Sequence, residues 1–221
     1  MKEEQNFKRI YGFLTNLKHN NSKEWFHAHK TEFIEAQAIF VDFLAKILEK
    51  IAVFDPDIKG LTPKNCIYRI YKDVRFSKDK SPYKLNFGAN IVPGGKKTQA
   101  AGYYIHIEPS GSFIGGGIYQ PESKILYQLR ENIQKNPQKL LKILHQTEFK
   151  KIFKDFEPLN RLKTAPKGFD KNDPNIEILK NKHFVVIQKI PDALMEDTTE
   201  LLKETEKSFK ILYPLLAYFR D

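Results

Sequence analysis

Between residues 66 and 119 the side chains alternate in short runs divided by Ser81-Pro82, Pro93-Gly94-Gly95 and Pro109-Ser110-Gly111. Links this short join only antiparallel neighbours, because a parallel pair needs a crossover of about a dozen residues. The runs are Cys66 to Phe76, Lys84 to Val92, Gly102 to Glu108 and Ser112 to Tyr119, with a later one from His183 to Ile190. They predict an antiparallel sheet of about five strands, connected as a meander. In the first run Cys66, Tyr68, Ile70, Val74 and Phe76 fall on one side, and Ile67, Arg69, Tyr71, Asp73 and Arg75 on the other.

On both flanks the period changes to helical. Phe7, Ile10, Tyr11, Phe13 or Leu14, and Leu17 mark a first helix, interrupted by His19-Asn20-Asn21-Ser22. Asn21 with Glu24 three residues on reads as a capping box, opening a long amphipathic helix that runs toward Phe54 with a break near Thr31. Asp55-Pro56 ends it, since the residue before proline is pushed out of the helical region. Pro121 and Pro137 sit where first helical turns tolerate proline, and Phe149 to Phe156 continues in helical style. Pro191 starts a last helix with Leu194, Leu201, Leu202, Phe209, Leu212 and Leu216 roughly on one face and a kink at Pro214. The stretch from Glu157 to Asn175 is irregular, and so long a run without regular structure is either functional, as a lid, or packed by its own side chains.

This order is that of an α+β chain, with helices from both termini packed mainly on one face of the sheet and the other face left polar and open. No linker divides it, so residues 1–221 read as one domain. With 41% hydrophobic and 13% aromatic residues the chain can bury a core without staples. The lone Cys66 excludes an internal disulfide framework and a multi-cysteine zinc site, and fits a reducing cytoplasm. No apolar leader core follows Met1 and nowhere do eighteen apolar residues run together, so a cytoplasmic chain without a membrane span is expected.

Charge is distributed unevenly. Of the net +10, +8 lies in the 39 residues from Lys59 to Lys97, which hold ten basic residues against Asp73 and Asp79. Such concentration raises the local potential for an anionic partner more than a diffuse surplus does.

Trp25-Phe26, the run Tyr68-Arg69-Ile70-Tyr71-Lys72-Asp73-Val74-Arg75-Phe76-Ser77-Lys78-Asp79-Lys80-Ser81-Pro82-Tyr83-Lys84, Tyr103-Tyr104-Ile105-His106-Ile107-Glu108-Pro109, Gly115-Gly116-Gly117 and Pro166-Lys167-Gly168-Phe169-Asp170 occur in this order. In them the chain resembles an uncharacterised bacterial and fungal family of conserved hypothetical proteins, the DUF2461 type, from about Phe13 to Leu212. The resemblance implies a single domain and carries no catalytic residue across.

Two constellations hold chemistry. Arg69, Tyr71, Asp73 and Arg75, followed by Lys78, Lys80, Tyr83 and Lys84, combine guanidinium and ammonium groups with aromatic rings, the groups that bind phosphates and stack bases. On one strand Arg69 and Arg75 would stand about 20 Å apart, at about 3.3 Å per residue, too far to clamp one phosphate but suited to successive phosphates. The competing arrangement is a charge ladder, with Asp73 between the two arginines and Glu108 supplied by a neighbouring strand. His106 and Glu108, two apart, share a strand face, where a carboxylate would orient the imidazole for proton transfer. No third or fourth ligand at readable spacing completes a metal site, and no cofactor motif is present. Gly115-Gly116-Gly117 marks a bulge or a close approach of another backbone or ligand.

The leading expectation is a phosphate-rich anionic ligand, nucleic acid or a phosphorylated metabolite, bound on a basic, aromatic-lined sheet face. The alternatives are a hydrolase-like enzyme using His106 and Glu108 with Arg69 and Arg75 stabilising negative charge, and a protein-interaction module. A His106 turned into a pocket within reach of Glu108 favours the enzyme; a flat basic face favours binding. The oligomeric state is not legible.

Overall fold

The computed structural model describes residues 7–75 and 77–221. It is an α+β fold in which, among the described residues, four strands form one open antiparallel sheet in sequential order: β1 Phe87–Ile91, β2 Gly102–Ile107, β3 Phe113–Ile118 and β4 Phe184–Lys189. The meander is as expected; the fifth strand is not there. Cys66 instead closes a short helix, α4 Pro63–Cys66, and the chain beyond it touches the sheet edge only through isolated bridges, Ile67 to Ala89 and Tyr71 to Tyr83. Three ladder-like bonds remain, from Tyr68 N to Gly88 O, Lys84 N to Ile70 O and Lys72 N to Pro82 O. The ladder fails because side chains take the backbone's place. Asp73 accepts from the Arg75 amide and Asp79 from the Ser81 amide, local bonds that compete with a strand, and Pro82 brings no N–H. Phe76, assigned above to the strand's apolar side, lies outside the described residues.

The helical flanks form α1 Lys8–His19, α2 Lys23–Ala28, α3 Lys30–Ile51 and, after a short 3₁₀ helix at Asp192–Glu196, the C-terminal α9 Thr198–Arg220. The long helix breaks at His29, close to the expected Thr31. Its cap is Ser22 rather than Asn21: Ser22 Oγ accepts from Trp25 N at 3.2 Å. The Asn21 amide instead bonds both backbone groups of Tyr83, at 3.0 and 3.1 Å, which holds the turn before β1 against the α1–α2 junction. After β3 come α5 Ser123–Lys135, α6 Pro137–Leu144, α7 Thr147–Phe153 and α8 Ile176–Leu179.

One sheet face is apolar. Phe87, Ala89 and Ile91 of β1, Tyr103, Ile105 and Ile107 of β2, Ile114 and Ile118 of β3, and Phe184 and Val186 of β4 are buried, in a core continuous with α1, α3 and α9. Helix α9 lies over β3, so close that a Cβ on Gly116 would stand 2.9 Å from Leu212 Cδ2. The irregular 157–175 stretch is anchored to the core through Phe169, which is buried with its ring 5.5 Å from that of Tyr127 on α5. Glu157 N bonds Val185 O, placing the start of the stretch along β4. The buried Arg130 guanidinium donates to the carbonyls of Leu179 and Asn181 at 2.7 and 3.0 Å, fixing the turn into β4. Cys66 is buried, and burial pushes its thiol up to about 11, so it is protonated and unreactive at neutral pH.

The two ends of the core are tied by one buried charge pair. Asp55, fully buried after α3, accepts from Arg220 Nη1 at 2.9 Å on each oxygen and from the Tyr103 hydroxyl at 2.9 Å. Arg220 Nε also donates to Ala101 O. Arg220 Nη1 also reaches Asp57 at 3.3 Å, so removing Asp55 leaves Arg220 a partner, whereas removing Arg220 leaves the Asp55 carboxylate buried without a cation, a loss of about 3–5 kcal/mol. Arg220→Ala is therefore expected to lower unfolding stability by that order in urea titrations; a loss below about 1 kcal/mol, the scale of an exposed pair, would show that the tie is not structural.

Candidate functional site

Opposite the apolar face, the sheet forms the floor of a cleft of about 830 Å³. Its floor side chains follow from register. Gly88 pairs His106 and Asn90 pairs Tyr104; His106 pairs Phe113, Tyr104 pairs Gly115 and Gly102 pairs Gly117; Gly115 and Gly117 pair Ile187 and Val185. Alternation places all of these on the same side. The Tyr104 hydroxyl lies over Gly88, where a Cβ would come within 2.8 Å of it.

At the β1 edge the cleft is cationic. Tyr68, Arg69 and Lys84 line it, and Lys84 Nζ stands 5.4 Å from the centre of the Tyr68 ring. Burial and then the neighbouring Arg69 lower the Lys84 ammonium below its usual range. Among the described residues neither Arg69 nor Lys84 forms an ion pair with a carboxylate; Arg69 acts on Asp73 only at longer range, as the weakest of the influences lowering that carboxyl. Lys96 and Lys97 lie along the loop after β1, with Lys96 Nζ donating to Lys64 O.

The basic tract read from the sequence divides here. Arg69 and Lys84 face the cleft; Arg75 does not line it, and forks onto Asp73 through Nε at 3.0 Å and Nη2 at 2.7 Å. These bonds from Arg75 hold the Asp73 carboxyl down to about 2. Lys72 pairs with Asp79 and also reaches Ser81, Lys80 donates to Val74 O, and Lys78 stands exposed. Tyr83 is buried and stacked on Phe26 at 4.0 Å, whereas Tyr71, half exposed, leans on Tyr83 at 5.4 Å. Neither ring lines the cleft. Its aromatic lining is Tyr68, Tyr104, Phe113 and Tyr119; alternation along the chain sets Tyr68 on the side away from Arg69, and no binding role is expected of any of the four, though the alternation that sets Tyr104 on the same face as His106 is a signal.

His106 is turned into the cleft and lies flat on Phe113 at 4.6 Å. Its Nε2 meets Glu108 Oε2 at 2.9 Å, and since the carboxylate only accepts, Nε2 carries the proton. Nδ1 then offers its lone pair to the Tyr104 hydroxyl and the Asn86 amide, each at 3.4 Å. Among the described residues no ion pair joins Glu108 to an arginine. Burial, then the nearby Tyr68, Tyr119 and Glu108, push the Tyr104 hydroxyl up to about 12, so at neutral pH it is a proton donor. Among the described residues no group of three or more His, Cys, Asp and Glu is placed to hold a metal ion, and no helix is long and apolar enough to cross a membrane.

The model of the DUF2461 family, described as conserved hypothetical proteins, matches residues 9–218, and the chain belongs to that family. Comparison with curated proteins and with solved structures gives no match.

The raised Tyr104 hydroxyl has a consequence at alkaline pH. A tyrosine whose folded value lies above its unfolded value near 10 contributes stability below pH 10 and loses it as pH rises to about 12. In Tyr104→Phe the ultraviolet tyrosinate titration is expected to lose one group near pH 12, and the stability difference from the parent to shift in favour of the variant across that interval. A lost group titrating near 10 would contradict the buried setting of Tyr104.

Proposed function

We propose that this member of the DUF2461 family binds a small phosphorylated anion in the cleft, with Arg69 and Lys84 holding the phosphate. One observation carries the reading: Arg69 and Lys84 stand together on the wall of a partly enclosed cleft, and among the described residues neither forms an ion pair with a carboxylate. An anion there gains charge-assisted bonds in a setting less screened than open surface. The cleft volume, about 830 Å³, falls within the range of small-molecule sites. A nucleic acid tracked along the tract is less well supported, because Arg75, Lys72 and Lys80 are engaged within their own loop and leave no stripe of open cations. The buried, protonated Cys66 is in keeping with a cytoplasmic setting.

A second reading, acid–base catalysis on the bound ligand, is favoured by the contact of His106 with Glu108 inside the same cleft. Glu108 orients the imidazole, Nδ1, held only by the long contacts to Tyr104 and Asn86, accepts a proton, and Arg69 with Lys84 steadies negative charge. Arg75, included in that reading from the sequence, stands outside it.

Calorimetric titration with inorganic pyrophosphate tests the binding. Arg69→Ala and Lys84→Ala are each expected to weaken it by about tenfold or more, the loss of one charge-assisted bond, while Arg75→Ala leaves it unchanged. Equal losses in the Arg69 and Arg75 variants, or no binding by the parent, would overturn the assignment. An oligonucleotide whose affinity falls with salt at a log–log slope of about −0.7 for each of many phosphates would return the site to nucleic acid.

A further inference from the structure

The cleft has two unlike ends, and this carries the anion reading one step further, resting on it. The cations lie at the β1 edge, while Val185 and Ile187 of β4 line the opposite side. Between them, on β2 and β3, Gly102, Gly115 and Gly117 occupy neighbouring cleft-facing positions and present no side chain. Strand spacing and rise give this bare patch sides of roughly 5 by 7 Å, about the footprint of one flat ring. Packing keeps it bare: a Cβ would meet Val186 O at 2.1 Å from Gly115, Phe184 O at 1.9 Å from Gly117 and Ile91 O at 2.5 Å from Gly102. Tyr104 borders the patch toward β1, and Gln120 and Glu157 line the cleft with an amide and a carboxylate. Exposed backbone bordered by an aromatic ring and two aliphatic side chains suits a planar, weakly hydrated body, and the amide and carboxylate suit the polar edge of a nitrogen heterocycle.

We propose that the cleft selects a nucleotide, with the heterocycle lying on the Gly102, Gly115 and Gly117 backbone between Tyr104 and Val185–Ile187 and the phosphate meeting Arg69 and Lys84. Two strand spacings, roughly 10 Å, separate the β1 edge from β3, and the sugar spans them. Flatness distinguishes this ligand from a flexible apolar phosphate, and the phosphate distinguishes it from a free base.

The test compares four probes by calorimetry on the full chain: AMP, adenosine, inorganic pyrophosphate and decyl phosphate. AMP is expected to bind about tenfold tighter than pyrophosphate, the contribution of one stacked base, and adenosine at least tenfold more weakly than AMP. Val185→Trp, or Ile187→Trp should the first not fold by circular dichroism, fills the apolar end and is expected to abolish the advantage of AMP while leaving pyrophosphate unchanged. Pyrophosphate binding as tightly as AMP, decyl phosphate binding more tightly, or a tryptophan variant that keeps the advantage of AMP would overturn the nucleotide assignment while leaving the anion site standing. Failure of every phosphate probe would overturn both.

Discussion

The three successive glycines of β3 let one strand be approached closely both from the core side and from the neighbouring β4. Gly116 admits α9 and Leu212 from the core side, while Gly115 and Gly117 let the carbonyls of Val186 and Phe184 on β4 come nearer than any side chain would allow. Gly117 holds a φ of 129°, a conformation that side-chain-bearing residues rarely adopt. Glycine in a strand weakens it, and here the buried Ile114 and Ile118 with the overlying α9 offset that weakness. The same missing side chains that admit the neighbouring backbone leave the other face hollow. Core packing and the cleft are thus two results of one constraint.

The electrostatics divide along a similar line. The basic tract is a single feature of the chain, yet folding sorts its charges by partner. In the 73–81 loop carboxylates sit two and seven residues from the cations they meet, and Arg75 with Asp73 and Lys72 with Asp79 settle their charge locally. Exposed pairs of this kind contribute little to stability, about 0–1 kcal/mol, but they remove those cations from competition for a ligand. Arg69 and Lys84, fifteen residues apart, are brought together by the bonds between Tyr68 and Gly88 and between Lys84 and Ile70. They have each other for company, and burial first, then Arg69, lowers the Lys84 ammonium.

Much of the architecture was legible from periodicity. Strands β1 to β4 fall within a few residues of the alternating runs, because one buried face forces a period of two. The break in the long helix was visible as well, near His29. The false fifth strand had the right alternation from Cys66 to Phe76 but also Asp73, Asp79 and Pro82, whose local bonding and missing donor outweighed it. Asn21 has the spacing of a cap to Glu24, yet the neighbouring Ser22 does the capping and frees Asn21 to hold Tyr83, sixty-two residues away.

His106 beside Glu108 needed only the period of a strand, and so it could be read from the chain. The division of the arginines could not. Whether a guanidinium is neutralised depends on which carboxylate comes within about 4 Å, and with Asp73 between Arg69 and Arg75 the sequence permits either pairing. Local order along the chain, the alternation and the helical stripes, was determined by short-range sterics and by burial of one face. The bare floor of the cleft was decided only when β4 and α9, remote in sequence, closed against β3, and the meeting of Arg69 with Lys84 only when their segments bonded to each other and to the β1 edge, because those contacts set which surfaces are filled and which charges meet a carboxylate.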